Sequence, residues 1–288
     1  MHRGGLGDSV LLWPMLRSLK REHGRVVLVS DAEKARLAQR VLGVEAQDAE
    51  QRRFISLWFE GGPAEPVRGA ARVISFVSSP CTPAARTWTR NAASLFPGAE
   101  VVVMEEQPDR RFALRFGGST GVTPRPPRHE PHAFLLHVGA GSREKMWGIE
   151  RWVELAGAVR AMPQANKHGQ TARAVLVAGE AEAERFSAAE RAAFTSAGGI
   201  FLSRLDELCD HIQSAGTVVA ADTGAGHLAA QMGVRTLSLF GPTDPERWAP
   251  VGPEARVIRS STGRMADLAV EEVVGALGWT QPPSPCSV

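Results

Sequence analysis

The chain has 288 residues, of which 43% are hydrophobic and 22% are charged. This balance is typical of a globular protein and excludes a disordered or fibrous chain. The 33 Lys and Arg residues nearly offset the 31 Asp and Glu residues, and the resulting net charge of +2 argues against a protein that wraps nucleic acid. The length is sufficient for two domains.

The three cysteines lie far apart in the sequence, at Cys81, Cys209 and Cys286. Their odd number and wide spacing predict neither a disulfide framework nor a Cys-x-x-Cys metal site, and they favour a reducing compartment. No run reaches the ~18 to 20 apolar residues of a membrane span, and the N-terminus lacks the apolar region of a signal peptide. We therefore expect a cytoplasmic protein.

Short apolar runs rich in β-branched residues alternate with helix-length segments along the chain, which is typical of a parallel sheet covered by helices. The predicted strands are Arg25–Ser30, Phe54–Phe59, Arg72–Val77, Glu100–Met104, Ala133–Val138, Ala172–Ala178, Thr217–Ala221 and Arg235–Phe240. Between the fourth and fifth strands, Glu105–Pro131 is rich in proline, arginine and glycine, which favours a linker. The pattern predicts two Rossmann-like α/β domains, residues 1–128 and 129–288.

Three helices are predicted from apolar residues that recur at helical spacing. The first follows the glycine turn before Asp8, with Asp8 or Ser9 as its N-cap. The second is Ile149–Arg160, which places Trp152 and Leu155 on its apolar face. The third is Gly226–Met232, which ends at Gly233.

The first candidate site is the glycine-rich turn Arg3–Asp8. Glycines allow close approach of a ligand, and the first amides of a helix face whatever binds there. Asp8 is therefore either a functional carboxylate or an ordinary helix cap.

The second candidate site is the loop His137–Trp147, which follows a buried strand. Lys145 is suited to binding a phosphate as a point charge, although a single lysine is often only solvated. Ser142 and Lys145 also fit the Ser-x-x-Lys pattern of penicillin-binding enzymes. The further elements of that pattern, SDN and KTG, do not occur in the sequence, which excludes this interpretation.

The third candidate site is the run Val218–Ala230, where a strand enters a polar loop with two glycines and then a helix. Open α/β sheets bind ligands beyond the carboxyl ends of their strands, and helix N-termini favour anions. A diphosphate fits there, with His227 either donating to it or packing as a structural residue. A rigid turn, Gly241–Pro250, follows the next strand and is expected at the same end of the sheet.

In order and spacing, these clusters resemble the family 9 glycosyltransferases, the heptosyltransferases of lipopolysaccharide core assembly. The resemblance covers GGLGDSVLLWPMLRSL, HVGAGSREKMWGIERWVELA and VVAADTGAGHLAAQMGVRTLSLFGPTDPERWAP. It implies a GT-B fold, in which two Rossmann-like domains face a cleft. It also implies an inverting transfer of heptose or a related sugar from an ADP-activated donor, with no metal and no cofactor.

The resemblance also implies roles for single residues. Asp8 is the expected catalytic base. The expected donor-binding residues are Ser142, Lys145, Glu182, Asp222, Thr223, Gly224, Ala225, Gly226 and His227. For the acidic residue after the middle strand of the donor domain, Glu182 is the best match, and Glu180 and Glu184 stay open. The expected acceptor is a lipopolysaccharide-core or other glycan, or a lipid-linked saccharide, with peripheral contact at the inner membrane.

Family members begin with an apolar strand, whereas only Met1, His2 and Arg3 precede the glycine turn here. The first domain is therefore expected to have a truncated first strand, or the start codon is misplaced. A protein that binds a nucleotide-sugar without transferring it is the alternative function. A sugar-nucleotide epimerase would need other acid and base residues. An NAD-dependent oxidoreductase is excluded, because no Gly-x-Gly-x-x-Gly follows a first strand.

Overall fold

A computed structural model describes residues 5–62, 65–76, 82–104, 108–123, 133–162 and 172–278. The chain divides into two compact units, Met1–Pro108 and Asp109–Val288. The sequence predicts a boundary after residue 128 instead. The difference is the segment that follows Asp109, which contains a helix and packs within the second unit.

The first unit is built from short parallel strands and helices. Its helices are α1 (Leu6–Leu11), α2 (Trp13–His23), α3 (Ala32–Leu42), α4 (Arg52–Ile55) and α5 (Pro83–Leu95), with a 3₁₀ turn at Ser56–Trp58. Its strands are β1 (Val27–Ser30), β2 (Glu45–Asp48), β3 (Arg72–Ser75) and β4 (Glu100–Val103). In the described residues, β1 pairs with β2 and β3 pairs with β4, both in parallel.

The core of the first unit joins its two strand pairs. Trp88 and Leu95 on α5 are fully buried against Phe54 and Leu57, and Val29 of β1 and Val73 of β3 pack on the same cluster. The prediction of a strand at Phe54–Phe59 is wrong. Phe54 and Leu57 are buried, whereas Arg53 is exposed and Ser56 is half-buried, and the three-residue spacing of the buried pair is that of a helical face.

The second unit is a six-stranded parallel sheet with helices. Its helices are α6 (Arg110–Arg115), α7 (Ile149–Ala161), α8 (Glu180–Ala183), α9 (Ala188–Ser196), α10 (Leu205–Ser214), α11 (Gly224–Gln231), α12 (Pro245–Trp248) and α13 (Val270–Leu277). Its strands are β5 (Ala133–His137), β6 (Arg173–Gly179), β7 (Ile200–Leu202), β8 (Thr217–Ala221), β9 (Arg235–Phe240) and β10 (Ala255–Arg259). Further 3₁₀ turns cover Arg143–Lys145 and Met265–Asp267. The strand order is β10-β9-β8-β5-β6-β7.

The core of the second unit lies between this sheet and its helices. β8 is buried at every position, and α7 contributes Trp152, Leu155, Ala156 and Val159, as its helical spacing predicts. The third predicted helix is α11, which begins at Gly224 rather than Gly226. Gly233 follows its end with a φ of +75°, which favours glycine.

Most predicted strands are present with bounds that differ by one to a few residues, and β8 and β9 have the predicted bounds. Three strands were not predicted: β2, β7 and β10. The predicted linker is described only over residues 108–123, where it contains α6. Its other residues lie outside the described part of the chain. None of the described helices is long and apolar enough to cross a membrane.

Candidate active site

The candidate site of the second unit lies where its strand order reverses. β5 pairs with β6 on one side and with β8 on the other, so the loops after β5 and β8 leave neighbouring strands at the same edge of the sheet. Ligands of open α/β sheets bind at such a point. The loop after β5 carries Ser142 and Lys145, and the loop after β8 carries Asp222 and Thr223.

One carboxylate oxygen is the centre of this arrangement. Asp222 Oδ2 accepts a hydrogen bond from Lys145 Nζ at 2.8 Å and another from Thr243 Oγ1 at 2.8 Å. The Asp222 side chain is 8% exposed, whereas that of Lys145 is 29% exposed. The carboxylate is therefore buried, while the lysine side chain is partly exposed. Lys145, Asp222 and Thr243 lie in the loops that follow β5, β8 and β9, which are adjacent in the sheet.

The loop that carries Lys145 is fixed at both ends. Ser142 begins its 3₁₀ turn, with the Lys145 amide donating to the Ser142 carbonyl at 3.2 Å. After the turn, the buried Trp147 donates from Nε1 to the Leu268 carbonyl at 2.8 Å. Ser142 thus stabilises the turn through its backbone carbonyl, and its side chain makes no capping hydrogen bond.

The first turn of α11 lies next to the ion pair. Thr223 is its N-cap residue, and Gly224, Ala225 and Gly226 form its first turn. Gly226 lies against β9, because a Cβ at that position would be 2.9 Å from Ser238 Oγ. Among the described residues, Thr223 Oγ1 and His227 Nδ1 are buried atoms with no hydrogen-bond partner. The amides and the positive end of the helix dipole make this turn electrostatically favourable for an anion.

His227 is buried, with 4% of its surface exposed. Its pKa is lowered to about 4 as the net of three effects: burial lowers it most, the Asp222 carboxylate raises it, and the Lys145 ammonium lowers it. The imidazole is therefore neutral at pH 7, so it has one N–H to donate and one nitrogen to accept.

Glu182 lies over two glycines at the ends of β5 and β6. A Cβ on Gly139 would be 2.7 Å from the Glu182 Cβ and 2.3 Å from its Cγ, so glycine is needed there, whereas a Cβ on Gly179 would meet the Oε2 end of the side chain at 2.4 Å. Glu180 and Glu184 are exposed. Glu182 is therefore the one of these three glutamates that packs on the strand ends, and its role in donor binding stays a prediction. Next to it, burial lowers the pKa of His137, and the charge of Glu182 partly opposes this effect.

Asp8 belongs to the first unit. It lies in the first turn of α1, half-buried, and its Oδ2 accepts a hydrogen bond from the Gly5 amide at 2.9 Å. The N-cap of α1 is Gly5, so the prediction that Asp8 or Ser9 caps the helix is wrong. Asp8 occupies the third helical position, from which its carboxylate reaches back to the free amide at the helix start.

Sequence reasoning missed Thr243 as a site residue, although it singled out the turn that contains it. Threonine has no titratable group and is common in turns, so only its contact with Asp222 identifies it. Within the part of the chain that the structure describes, no group of three or more His, Cys, Asp and Glu side chains could hold a metal ion.

Comparison with known proteins gives the family. The model of glycosyltransferase family 9 (heptosyltransferase) matches residues 85–277, which is more than half of the chain. The chain belongs to glycosyltransferase family 9. The predicted resemblance is thereby confirmed, and the chain is a glycosyltransferase. Comparison with curated protein sequences finds no match.

Solved heptosyltransferases share the fold of this family 9 glycosyltransferase. E. coli heptosyltransferase WaaC with ADP aligns with a TM-score of 0.66 and 17% identity over 96% of this chain and 99% of its own. WaaC with ADP-2-deoxy-2-fluoro heptose aligns with a TM-score of 0.55 and 15% identity over the same shares. E. coli ADP-heptose LPS heptosyltransferase II has a TM-score of 0.62 and 17% identity over 96% and 97%. These similarities confirm the predicted α/β fold of the GT-B type.

Proposed function

We propose that this protein transfers a heptose or a related sugar from an ADP-activated donor to a lipopolysaccharide-core or other glycan acceptor, with inversion at the anomeric carbon. The observation that carries the proposal is the ion pair of Lys145 and Asp222 beside the first turn of α11, at the point where the strand order reverses. The solved structures of WaaC with ADP and with an ADP-heptose analogue support the choice of donor.

The donor diphosphate binds at the first turn of α11. The amides of Gly224, Ala225 and Gly226 face it, and the ammonium of Lys145 offsets part of its charge. The neutral His227 donates one N–H to it. Glu182, which lies over the strand ends, accepts hydrogen bonds from the ribose hydroxyls. None of these contacts requires a metal ion.

The reaction is a single displacement in which Asp8 is the base. Asp8 takes the proton of an acceptor hydroxyl while that oxygen forms a bond to the anomeric carbon. The bond from that carbon to the diphosphate oxygen breaks, and ADP leaves from the opposite face. The negative charge that develops on ADP is stabilised by Lys145 and by the helix amides.

The test of the base is the Asp8→Asn variant, assayed by mass spectrometry of the acceptor at saturating ADP-heptose. Asparagine keeps the shape of the side chain but cannot take the proton, so transfer should fall by roughly 10² to 10⁴. ADP affinity, measured by titration calorimetry with EDTA present, should not change. Asp31→Asn is the matched control, because Asp31 also accepts from a backbone amide at the start of a helix in the same unit.

Donor binding is tested in the same titrations with Lys145→Ala. The loss of one charge-assisted contact should weaken ADP binding by about 1.5 to 3 kcal/mol. Arg143→Ala is the control, because it removes a charge from the same turn. Arg143 pairs with Glu190 rather than with Asp222, so its loss should have little effect on ADP affinity. ADP binding that requires Mg²⁺, or an ADP affinity that is unchanged in Lys145→Ala, would contradict the proposed site. If the wild type binds ADP-heptose but modifies no acceptor, the protein is a nucleotide-sugar binder instead.

The acceptor side of the proposal is a glycan or a lipid-linked saccharide, and a lipid-linked acceptor would bring the protein to the inner membrane. Mass spectrometry of free and lipid-linked core saccharides after incubation distinguishes the two.

A further inference from the structure

We propose that Thr243 is a positioning residue for donor binding, which acts by fixing the Asp222 carboxylate that holds Lys145. The inference rests on the proposed function, because it concerns the same donor site. Thr243 is in the turn after β9 and has no place in the reaction described above.

The geometry joins Thr243 to Lys145 through a single atom. Thr243 Oγ1 and Lys145 Nζ donate to the same oxygen of Asp222, each at 2.8 Å. A lysine has four side-chain torsions and is held only where its ammonium has a partner. The position of Lys145 therefore depends on where the Asp222 carboxylate lies, and Thr243 is the second group that determines this.

Thr243 is itself held in place by its neighbours in the chain. Gly241 lies so close to the backbone of Met265 that a Cβ there would be 2.7 Å from the Met265 nitrogen. On the other side, the Asp244 side chain accepts from the Glu246 amide at 3.0 Å and caps α12. These contacts restrain the turn on both sides of Thr243. The Thr243 hydroxyl can therefore hold the Asp222 carboxylate in one position.

The hydroxyl matters most when an anion arrives. A diphosphate attracts the Lys145 ammonium, and a carboxylate held by Lys145 alone would move with it. The hydrogen bond from Thr243 keeps Asp222 in place, so that Lys145 can contact both the carboxylate and the anion. The site then retains its shape in the free and the bound protein, which lowers the cost of ordering it on binding.

The test compares Thr243→Val with Thr243→Ser in the full chain, using ADP as the probe. Valine has the shape of threonine without the hydroxyl, and ADP affinity should fall roughly 5- to 20-fold, which is less than the direct loss of a hydrogen bond to a charged group because Thr243 acts on ADP only through Lys145. Serine keeps the hydroxyl and should restore affinity. Thr236→Val is the matched control: it removes a buried hydroxyl at the other end of β9 that donates to the Val234 carbonyl at 2.8 Å.

A double-variant comparison separates positioning from a general loss of structure. In a Lys145→Ala background, Thr243→Val should cause little further loss of ADP affinity, because the group that it positions is gone. An equal loss in both backgrounds would overturn the proposal, and so would unchanged affinity of Thr243→Val in the wild-type background. ADP binding without sugar transfer by the wild type would defeat only the proposed function. A wild type that does not bind ADP would defeat both.

Discussion

The imidazole of His227 is buried in the first turn of α11, where the charges of Asp222 and Lys145 act on it. Its pKa is lowered from an ordinary value of 6.5 to about 4, and burial is the largest cause. In the unfolded chain the same group takes up a proton near its ordinary pKa. Below pH 6.5 the unfolded state therefore binds more protons than the folded state, and the free energy of unfolding decreases as the pH falls from about 6.5 to about 4.

This predicts an acid-sensitive stability that depends on His227. His227→Gln should reduce the loss of unfolding free energy across that interval by up to about 3 kcal/mol, since glutamine does not titrate. Urea unfolding at several pH values, followed by circular dichroism, measures it. His23→Gln is the control, because the His23 side chain is 48% exposed. Equal pH dependence in the His227 variant and the wild type would contradict the prediction.

At the residue scale, the sequence was informative about polar residues in glycine-rich loops. It identified Lys145, Asp222 and His227, and the structure brings these three together. It predicted the turn that contains Thr243 but could not identify this residue, because only its contact with Asp222 distinguishes it from the other residues of the turn. It also could not give the burial of His227, which decides its charge.

At the scale of elements, the loop ends of β5 and β6 are shaped by the space that Glu182 needs. Gly139 and Gly179 both face its side chain, and the close approach of Gly139 to the Glu182 Cβ and Cγ leaves no room for a Cβ on Gly139. The sequence shows these glycines but not what fills the space beside them.

The apolar run Phe54–Phe59 was wrongly predicted as a strand, because strands and short buried helices have similar composition. The unpredicted strand β2 has no β-branched residue, so its composition does not identify it.

Gly139→Ala should therefore displace Glu182. The added methyl group collides with the Glu182 side chain, and overpacking of this kind costs about 1 to 3 kcal/mol of stability. ADP affinity should fall as well, because Glu182 is the proposed ribose partner. Gly141→Ala, in the same loop, is the control, since a Cβ there meets nothing within 4 Å. Thermal unfolding and ADP titration measure both effects. Identical behaviour of the two variants would contradict the assignment.

At the scale of the whole molecule, α6 belongs to the second unit although it precedes β5 by many residues. Asp109 forms an ion pair with Arg247 at 3.6 Å, and Phe112 is 1% exposed. Gln231 Nε2 also donates to the Gly118 carbonyl at 3.4 Å. Proline-rich composition suggested a linker here, but composition cannot show that an intervening helix packs on a distant part of the chain.

A fragment of residues 109–288 should therefore unfold cooperatively, and a fragment of residues 129–288 should be less stable. The shorter fragment leaves the partners of α6 uncovered, and burial of Phe112 alone is worth about 1.5 to 3 kcal/mol. Urea unfolding of the two fragments compares them. Equal stability would mean that α6 adds nothing to the second unit.

The ion pair of Lys145 and Asp222 gives the free site its own internal counterion. An incoming anion does not meet a bare positive charge, because Asp222 stays in contact with Lys145. We expect a small monovalent anion to gain little there, because the carboxylate repels it while the ammonium attracts it from a similar distance. A diphosphate also reaches the amides of α11, and this attraction offsets the repulsion by Asp222. We therefore expect the site to select by the extent of the anion and to bind simple salts weakly.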